Sequence, residues 1–463
     1  PQAEGRLIFN VLVYSQNIKL YQMKRRQFLQ YTGTASTLPV LLNGIPLSAI
    51  ASSPMFNHIQ EDNDRVLVLV QLNGGNDGLN TLFPLDQYAQ LANARPNIII
   101  PEERLLPLTD TISLHPHMNG FRMLHDDSKM GNVQSVGYPN QNRSHFRSID
   151  IWPSGSPADD FWTSGWLGRH LDGRHTEFPD AYPNEQYPDP LAISMGSVVS
   201  ETCQGTAANF SLTLRDPFAL SPLTEGSEDE IPNSLYGDEL RYLRTTIKQT
   251  NAYSERITAA AEAGANLAEY PESNLAEQLK TTALLISGGL QTKVFVVKLG
   301  GFDTHADQVM EDIPTSGNHA ILLKTLSEAM LAFQKDLKML GIEERVLSMT
   351  FSEFGRQIKS NFSLGTDHGS AAPLFLFGSC VQPRVLGDNP DIPNQVEPQE
   401  GVAMQYDFRD VYGSILMDWF EVEDSTIKTL LYEDFTYLPI VRSCTQPNPF
   451  RRVDRFIEDV ELT

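Results

Sequence analysis

The sequence predicts a doubly wound α/β fold built on a mainly parallel sheet, and three observations carry that prediction. Val66-Leu67-Val68-Leu69-Val70 is a continuous apolar run, the pattern of a central parallel strand buried on both faces. Further apolar runs at 133–136, 191–194, 294–299, 346–351 and 374–377 alternate with helical patterns. Short polar motifs follow several of these runs, and in open α/β sheets the loops leaving the carboxyl ends of strands converge on one crevice.

From the N-terminus, Met23-Lys24-Arg25-Arg26-Gln27-Phe28-Leu29-Gln30 has the pattern of a twin-arginine export signal. A weakly apolar stretch at 31–50 and the small-residue pattern Ala49-Ile50-Ala51 follow it in the order a cleaved signal requires. The bland alternative is a basic amphipathic helix start. Met23 is the expected initiator, so residues 1–51 are read as upstream sequence plus signal peptide. The twin-arginine machinery is then a partner, and the destination is periplasmic or extracellular.

The main domain is expected over 60–430, with a C-terminal tail at 431–463. The region 153–236 is rich in Pro, Gly, Asp and aromatics, as in Phe178-Pro179-Asp180-Ala181-Tyr182-Pro183, and carries an acidic loop at 225–230. It reads as an irregular insertion or cap. Helices are expected over 240–268, 275–287, 320–340 and 408–420, and a long surface loop over 388–400.

Composition narrows the partners. With 35 Lys+Arg against 58 Asp+Glu, the formal net charge is −23, which repels nucleic acid phosphates and anionic lipids. No segment after the signal reaches the ~18 apolar residues of a membrane span. Cys203, Cys380 and Cys444 match no metal motif. They fit either one disulfide with a leftover thiol or three buried thiols.

Five motifs hold residues suited to chemistry. In Asn73-Gly74-Gly75-Asn76-Asp77-Gly78, glycines permit close backbone approach to a ligand, and Asp77 is a candidate metal ligand. An ordinary strand-to-helix turn explains the same residues. In Asn142-Arg143-Ser144-His145-Phe146, Ser144 stands at an expected helix start, where free N–H groups favour an anion and a nearby cation would activate the hydroxyl. A plain serine cap is the alternative; the neighbouring Arg143 and His145 favour function.

Asp303 and His305, in Gly300-Gly301-Phe302-Asp303-Thr304-His305, can both reach one divalent cation from a loop, with Asp307 as a spare carboxylate. Glu353 and Arg356 follow the next run, and Asp367-His368 comes soon after. Arg356 could grip a phosphate or sulfate with two parallel hydrogen bonds, or simply pair with Glu353 on the surface. His115, His117 and His125 lack matching partners and are read as structural or exposed.

Taken together and in this order, the motifs resemble the bacterial family called domain of unknown function 1501 over about residues 64–425. That family is similar to the alkaline phosphatase and sulfatase superfamily. The resemblance implies an alkaline phosphatase-like α/β fold and a metal-dependent hydrolase of small anionic phosphate or sulfate esters. In it, Asp77 corresponds to the Asp after the first strand, Ser144 to the nucleophile, and Asp303, His305 and His368 to ligands of one metal site.

Arg143 or Arg356 would hold the ester's remaining oxygens. Glu353-Phe354 stands where the superfamily's second site carries an Asp-His pair, and Phe binds no metal; in another alignment Asp367-His368 is that pair. The expected ligand set is therefore Asp77, Asp303, His305, Glu353, Asp367 and His368, for one or two ions of zinc, manganese or calcium. A function of another class also fits, an exported binding or assembly protein that keeps the fold without turnover. Nothing in the sequence specifies the oligomeric state.

Overall fold

A computed structural model describes residues 41–42, 45–46, 63–224 and 231–442. The chain divides into two compact units, Pro1–Asn63 and Asp64–Thr463. In the first, Leu41–Leu42 pairs antiparallel with Ile45–Pro46. The expected export signal at 23–30, the cleavage pattern at 49–51, the acidic loop at 225–230 and the chain beyond 442 lie outside the described residues.

The second unit is built on a nine-stranded sheet among the described residues. In chain order its strands are β1 (Val66–Asn73), β2 (Met130–Gly137), β3 (Ala192–Met195), β4 (Ser211–Leu214) and β5 (Val294–Gly300). Then come β6 (Val346–Phe351), β7 (Ala372–Phe377), β8 (Val385–Leu386) and β9 (Tyr406–Asp407). Their spatial order is β8-β2-β7-β6-β1-β5-β3-β4, with β9 also paired to β2. Only β7 runs antiparallel to its neighbours. The α/β, mainly parallel architecture expected from the sequence is the one observed.

The unbroken apolar run in β1 has the expected cause. Leu67 and Leu69 enter one core, while Val66, Val68, Val70 and Leu72 enter the other. The first core also takes residues from the helices His145–Ser154, Trp166–Arg174 and Phe408–Asp418. The second takes residues from Leu235–Ala263, Asn274–Ser287 and Asn318–Met339. Helices on both faces leave β1 no wet side, so strict alternation of polar and apolar residues never appears. Ser234 and Ser273 cap two of these helices by accepting from the backbone of Gly237 and Ala276.

The stretch 153–236 is not set apart from the sheet, because it supplies β3 and β4. β3 falls on the apolar run expected at 191–194, whereas β4, four residues long, has no counterpart among the expected runs. Cys203 is a buried free thiol and Cys380 is disulfide-bonded; Cys444 lies outside the described residues. No helix among the described residues is long and apolar enough to cross a membrane.

Candidate metal centre

Three adjacent parallel strands end within two residues of one another, and this positions the site. Gly300 of β5 stands opposite Asn73 of β1, and Phe351 of β6 opposite Gln71. The segments 74–78, 301–305 and 352–356 therefore leave the sheet side by side. Gly74 and Gly75 have φ of +120° and +82°. A Cβ on Gly74 would lie 2.2 Å from the Asp303 backbone nitrogen, and one on Gly75 2.4 Å from Cε2 of Phe354. The close approach these glycines allow is thus to Asp303 and Phe354, not to a ligand as expected.

Arg356 joins the loops from beneath. Its side chain is fully buried. Nε donates to the Gly75 carbonyl at 2.8 Å and Nη1 to that of Thr366 at 3.0 Å. Nη2 serves the Gly74 and Phe302 carbonyls and, at 2.8 Å, Oδ1 of Asp303. The segment 365–369 closes the group, with Thr366 N donating to Thr304 O and Gly369 N to Gly355 O.

Three imidazoles face the same carboxylate oxygen. Nε2 of His305, His368 and His145 lies 3.1, 3.3 and 3.4 Å from Asp303 Oδ1. The His305 and His368 Nε2 atoms are 2.8 Å apart. One ligand atom each from His145, Asp303 and His368 lies within 4.8 Å of the others. Behind each ring an acceptor takes Nδ1: Glu353 Oε1 for His145 at 3.0 Å, Asp367 Oδ1 for His305 at 2.7 Å, and the Arg143 carbonyl for His368 at 2.8 Å.

Those acceptors assign the ring protons to Nδ1, which leaves three Nε2 lone pairs aimed at one another and at a carboxylate. Without a cation, or a proton between the His305 and His368 nitrogens, that arrangement is repulsive. His145 Nε2 is moreover buried with no hydrogen-bond partner, and such an orphan is costly unless something coordinates it. The donors of His145, Asp303 and His368 fit a single divalent ion, and His305 Nε2 lies close to the last two of them.

Electrostatics agree with this fit. Burial alone would raise the Asp303 carboxyl, but Arg356 and the neighbouring imidazoles outweigh it and hold the group below its ordinary range. Burial, with the charges of Arg356 and His145, keeps His368 below its usual value despite the Arg143 carbonyl and Asp303. Phe354 forms an apolar wall, its ring centroid 4.9 Å from that of His145 and 4.7 Å from that of His368.

Of the expected ligands, Asp303, His305 and His368 come together. Glu353 and Asp367 stand one shell further out, orienting imidazoles in place of touching the centre. Asp77 is withdrawn altogether. Both its oxygens accept from Arg95 Nη1, at 3.0 and 2.7 Å, and Oδ2 also accepts from Gln308 at 2.7 Å. Contrary to expectation, Arg356 is fully buried, and its guanidinium is turned to loop carbonyls and Asp303 in place of a substrate.

Ser144 is the exposed N-cap of the helix His145–Ser154 and makes no side-chain capping bond. Arg143 sends its guanidinium to the Gln399 carbonyl. Among the histidines set aside, His115 is buried and His117 exposed, as expected.

His145 was not among the expected ligands. The signal is its place in the motif that follows the second strand, beside Ser144 at the helix start. Its direction toward the centre depends on Glu353, more than two hundred residues away. Local pattern carries no such information.

The outer acceptors yield one prediction. Asp367→Ala frees the His305 ring without unburying a core group, because the Asp367 side chain is already 47% exposed. Divalent metal should bind about 10–100-fold more weakly, as read by competition with a chelator. Affinity equal to wild type would remove Asp367 from the centre.

The family model described as "Protein of unknown function (DUF1501)" matches residues 64–412. No curated protein matches the chain. Solved structures similar to it include a protein in the alkaline phosphatase superfamily from Vibrio parahaemolyticus. That protein is 10% identical at a TM-score of 0.35, with 76% of this chain and 65% of that chain covered, so the match spans a little under two thirds of its length.

Another is the Streptococcus pyogenes phosphoglycerol transferase GacH in complex with sn-glycerol-1-phosphate, 12% identical at 0.36, with 85% of each chain covered. A third is the C-terminal periplasmic domain of EcEptC from Escherichia coli in complex with Zn. It is 12% identical at 0.32, with 69% of this chain and 74% of that chain covered.

Proposed function

The chain belongs to the family described as Protein of unknown function (DUF1501), and from that premise we propose that it is an exported, metal-dependent hydrolase of phosphate or sulfate esters. The observation that carries the reading is the convergence of three Nδ1-anchored imidazoles on the Asp303 carboxylate. Export rests on the sequence pattern at 23–51.

His145, His305, His368 and Asp303 hold one ion. A donor set rich in nitrogen favours zinc or manganese over calcium, which prefers a cage of oxygens. When bound, the ion supplies Lewis acidity, lowering the pKa of a hydroxyl beside it and offsetting charge on the ester oxygens.

The protein's own groups do the rest. Ser144 offers its exposed hydroxyl one residue from a ligand and at the start of a ten-residue helix, where free N–H groups donate to the anionic group. Arg143, which gives one Nη1 donor to the Gln399 carbonyl, keeps its other donors for the non-transferred oxygens. Arg356 fixes Asp303 and keeps it ionised. Phe354 and the loop packing beneath the rings exclude water from their inner side, which strengthens the electrostatics there.

The second reading, an exported scaffold without turnover, draws on the same buried Phe354, which fills a place where the resemblance expects a ligand. Ser144→Ala separates the two. In the hydrolase, the turnover number for aryl phosphate or aryl sulfate should fall on the order of 10³-fold with metal content unchanged. Robust turnover that survives the substitution removes Ser144 as nucleophile. Metal-loaded wild type inert toward both ester classes favours the scaffold.

A further inference from the structure

Asn361 lies outside the motifs that the sequence singles out, yet its carboxamide joins three parts of the metal centre's outer wall. Oδ1 accepts from the backbone nitrogens of Ser363 at 3.0 Å and Gly365 at 3.2 Å. Nδ2 donates to the His305 carbonyl at 2.9 Å and to Asp367 Oδ1 at 3.1 Å. Two donors face the amide oxygen and two acceptors face the nitrogen, so only one orientation of the amide satisfies them all.

The bonds to the oxygen shape a turn. Within it Leu364 has a φ of +57°, a left-handed conformation unfavourable for a side chain of that size. Backbone bonds dock the turn on the loop that follows β5. Asp307 N donates to Ser363 O at 3.0 Å, Gln308 N to Leu364 O at 3.0 Å, and Thr366 N to Thr304 O at 3.2 Å. Gly365 permits this approach, since a Cβ there would lie 2.4 Å from the carbonyl oxygens of Thr304 and His305.

The bonds from the nitrogen reach His305 at both its ends. One fixes its main chain. The other fixes Asp367 Oδ1, the same oxygen that takes the ring's Nδ1 proton at 2.7 Å. His305 needs such support more than the other two imidazoles: its side chain is 42% exposed, against 27% for His145 and 24% for His368. An imidazole that solvent surrounds, with no anchored acceptor behind it, turns among rotamers and loses its aim at the other donors.

We infer that Asn361 is a positioning residue of the metal centre, aiming Nε2 of His305 by holding both the backbone of that histidine and the Asp367 carboxylate behind its ring. It acts through those two residues and touches neither ion nor substrate. The inference rests on the proposed metal centre and is independent of whether that centre hydrolyses esters.

Zinc affinity of the full chain is measured by competition with a chelator in wild type, Asn361→Ala, Asp367→Ala, the double variant and Phe362→Ala. Asn361→Ala should bind zinc about tenfold more weakly, at the lower end of the range for a group that orients a ligand. On top of Asp367→Ala it should cost less than about threefold more, because residues in one hydrogen-bond network do not have additive effects. A residue that only stabilised the fold would add its full effect. Phe362→Ala alters a fully exposed ring on the same turn and should bind like wild type. In Asn361→Ser the hydroxyl can still accept from Ser363 N and keep the turn, but it is too short to reach Asp367, so zinc affinity should fall as it does in alanine.

Affinity equal to wild type in Asn361→Ala and Asn361→Ser overturns the positioning role, and so do losses that sum fully with that of Asp367→Ala. A comparable loss in Phe362→Ala assigns the effect to the turn as a whole and overturns it too. Wild type that binds no zinc overturns the proposed centre itself, and this role with it.

Discussion

Asp303→Ala should leave the purified protein essentially free of divalent metal, whereas wild type carries about one ion per chain. Asp303 is the anionic member of the four-residue set, and its Oδ1 is the point on which His145, His305 and His368 converge. Its removal does more than delete one ligand. The Arg356 guanidinium, now 2.8 Å from that oxygen, would face the three imidazoles with its charge uncompensated and repel the incoming cation.

The loss of affinity should therefore exceed the 10–100-fold typical of an outer-shell change. Asp303→Asn separates the two effects, since the amide oxygen can still accept from Arg356 while the charge is gone; it should bind more strongly than alanine but more weakly than wild type. Elemental analysis after dialysis against stoichiometric zinc reads both variants. A chelator should lower the melting temperature of wild type and leave Asp303→Ala unmoved, because an ion that binds only the folded state stabilises it by mass action. Stoichiometric zinc retained by Asp303→Ala would sink the proposed centre.

The second large effect concerns stability. Asp77 and Arg95 form an ion pair with side chains only 1% and 2% exposed. Arg95 also donates to the Ile358 carbonyl at 2.7 Å and the Gln357 carbonyl at 2.6 Å. Asp77→Ala leaves a guanidinium buried without its counter-charge, a defect that costs about 3–5 kcal/mol. Denaturant unfolding of the zinc-loaded protein measures it. Metal content should be unchanged in the milder Asp77→Asn, because Asp77 touches no member of the centre.

The pH dependence of the pair has a definite sign. Burial raises the Asp77 carboxyl, but Arg95, His319 and Gln308 prevail and hold it below its ordinary value of 3.8. A depressed folded-state pKa contributes stability above the unfolded value and loses it as pH falls through the folded one. The stability gap between wild type and Asp77→Asn should be level from about pH 5 upward and close only below 3.8. A gap that instead widens toward acid would contradict the pairing.

These two carboxylates show how far local pattern reaches. Asp77 and Asp303 both follow a long apolar strand and a pair of glycines, and both read as ligands. One is a ligand in the proposed centre and the other is sealed in a pair with a residue eighteen positions on, because Arg95 folds back beneath the loop. Glu353 and Asp367 repeat the lesson. Each lies in the motif that lines the crevice, and each turns its oxygen to the back of an imidazole. His145 was passed over because what aims its ring comes from β6, across the sheet.

By itself the sequence determined the α/β class, the strands that are purely apolar, the principal helices, and the strand-end motifs from which a metal centre would be drawn. Those follow from burial on two faces and from turn chemistry, which are written in consecutive residues. Only the tertiary structure decided which carboxylates face the centre, which imidazoles they hold, and that Arg356 is a buried clamp. Those outcomes depend on contacts between loops far apart in the chain, set by the neighbouring ends of β1, β5 and β6, and no window of neighbouring residues contains them.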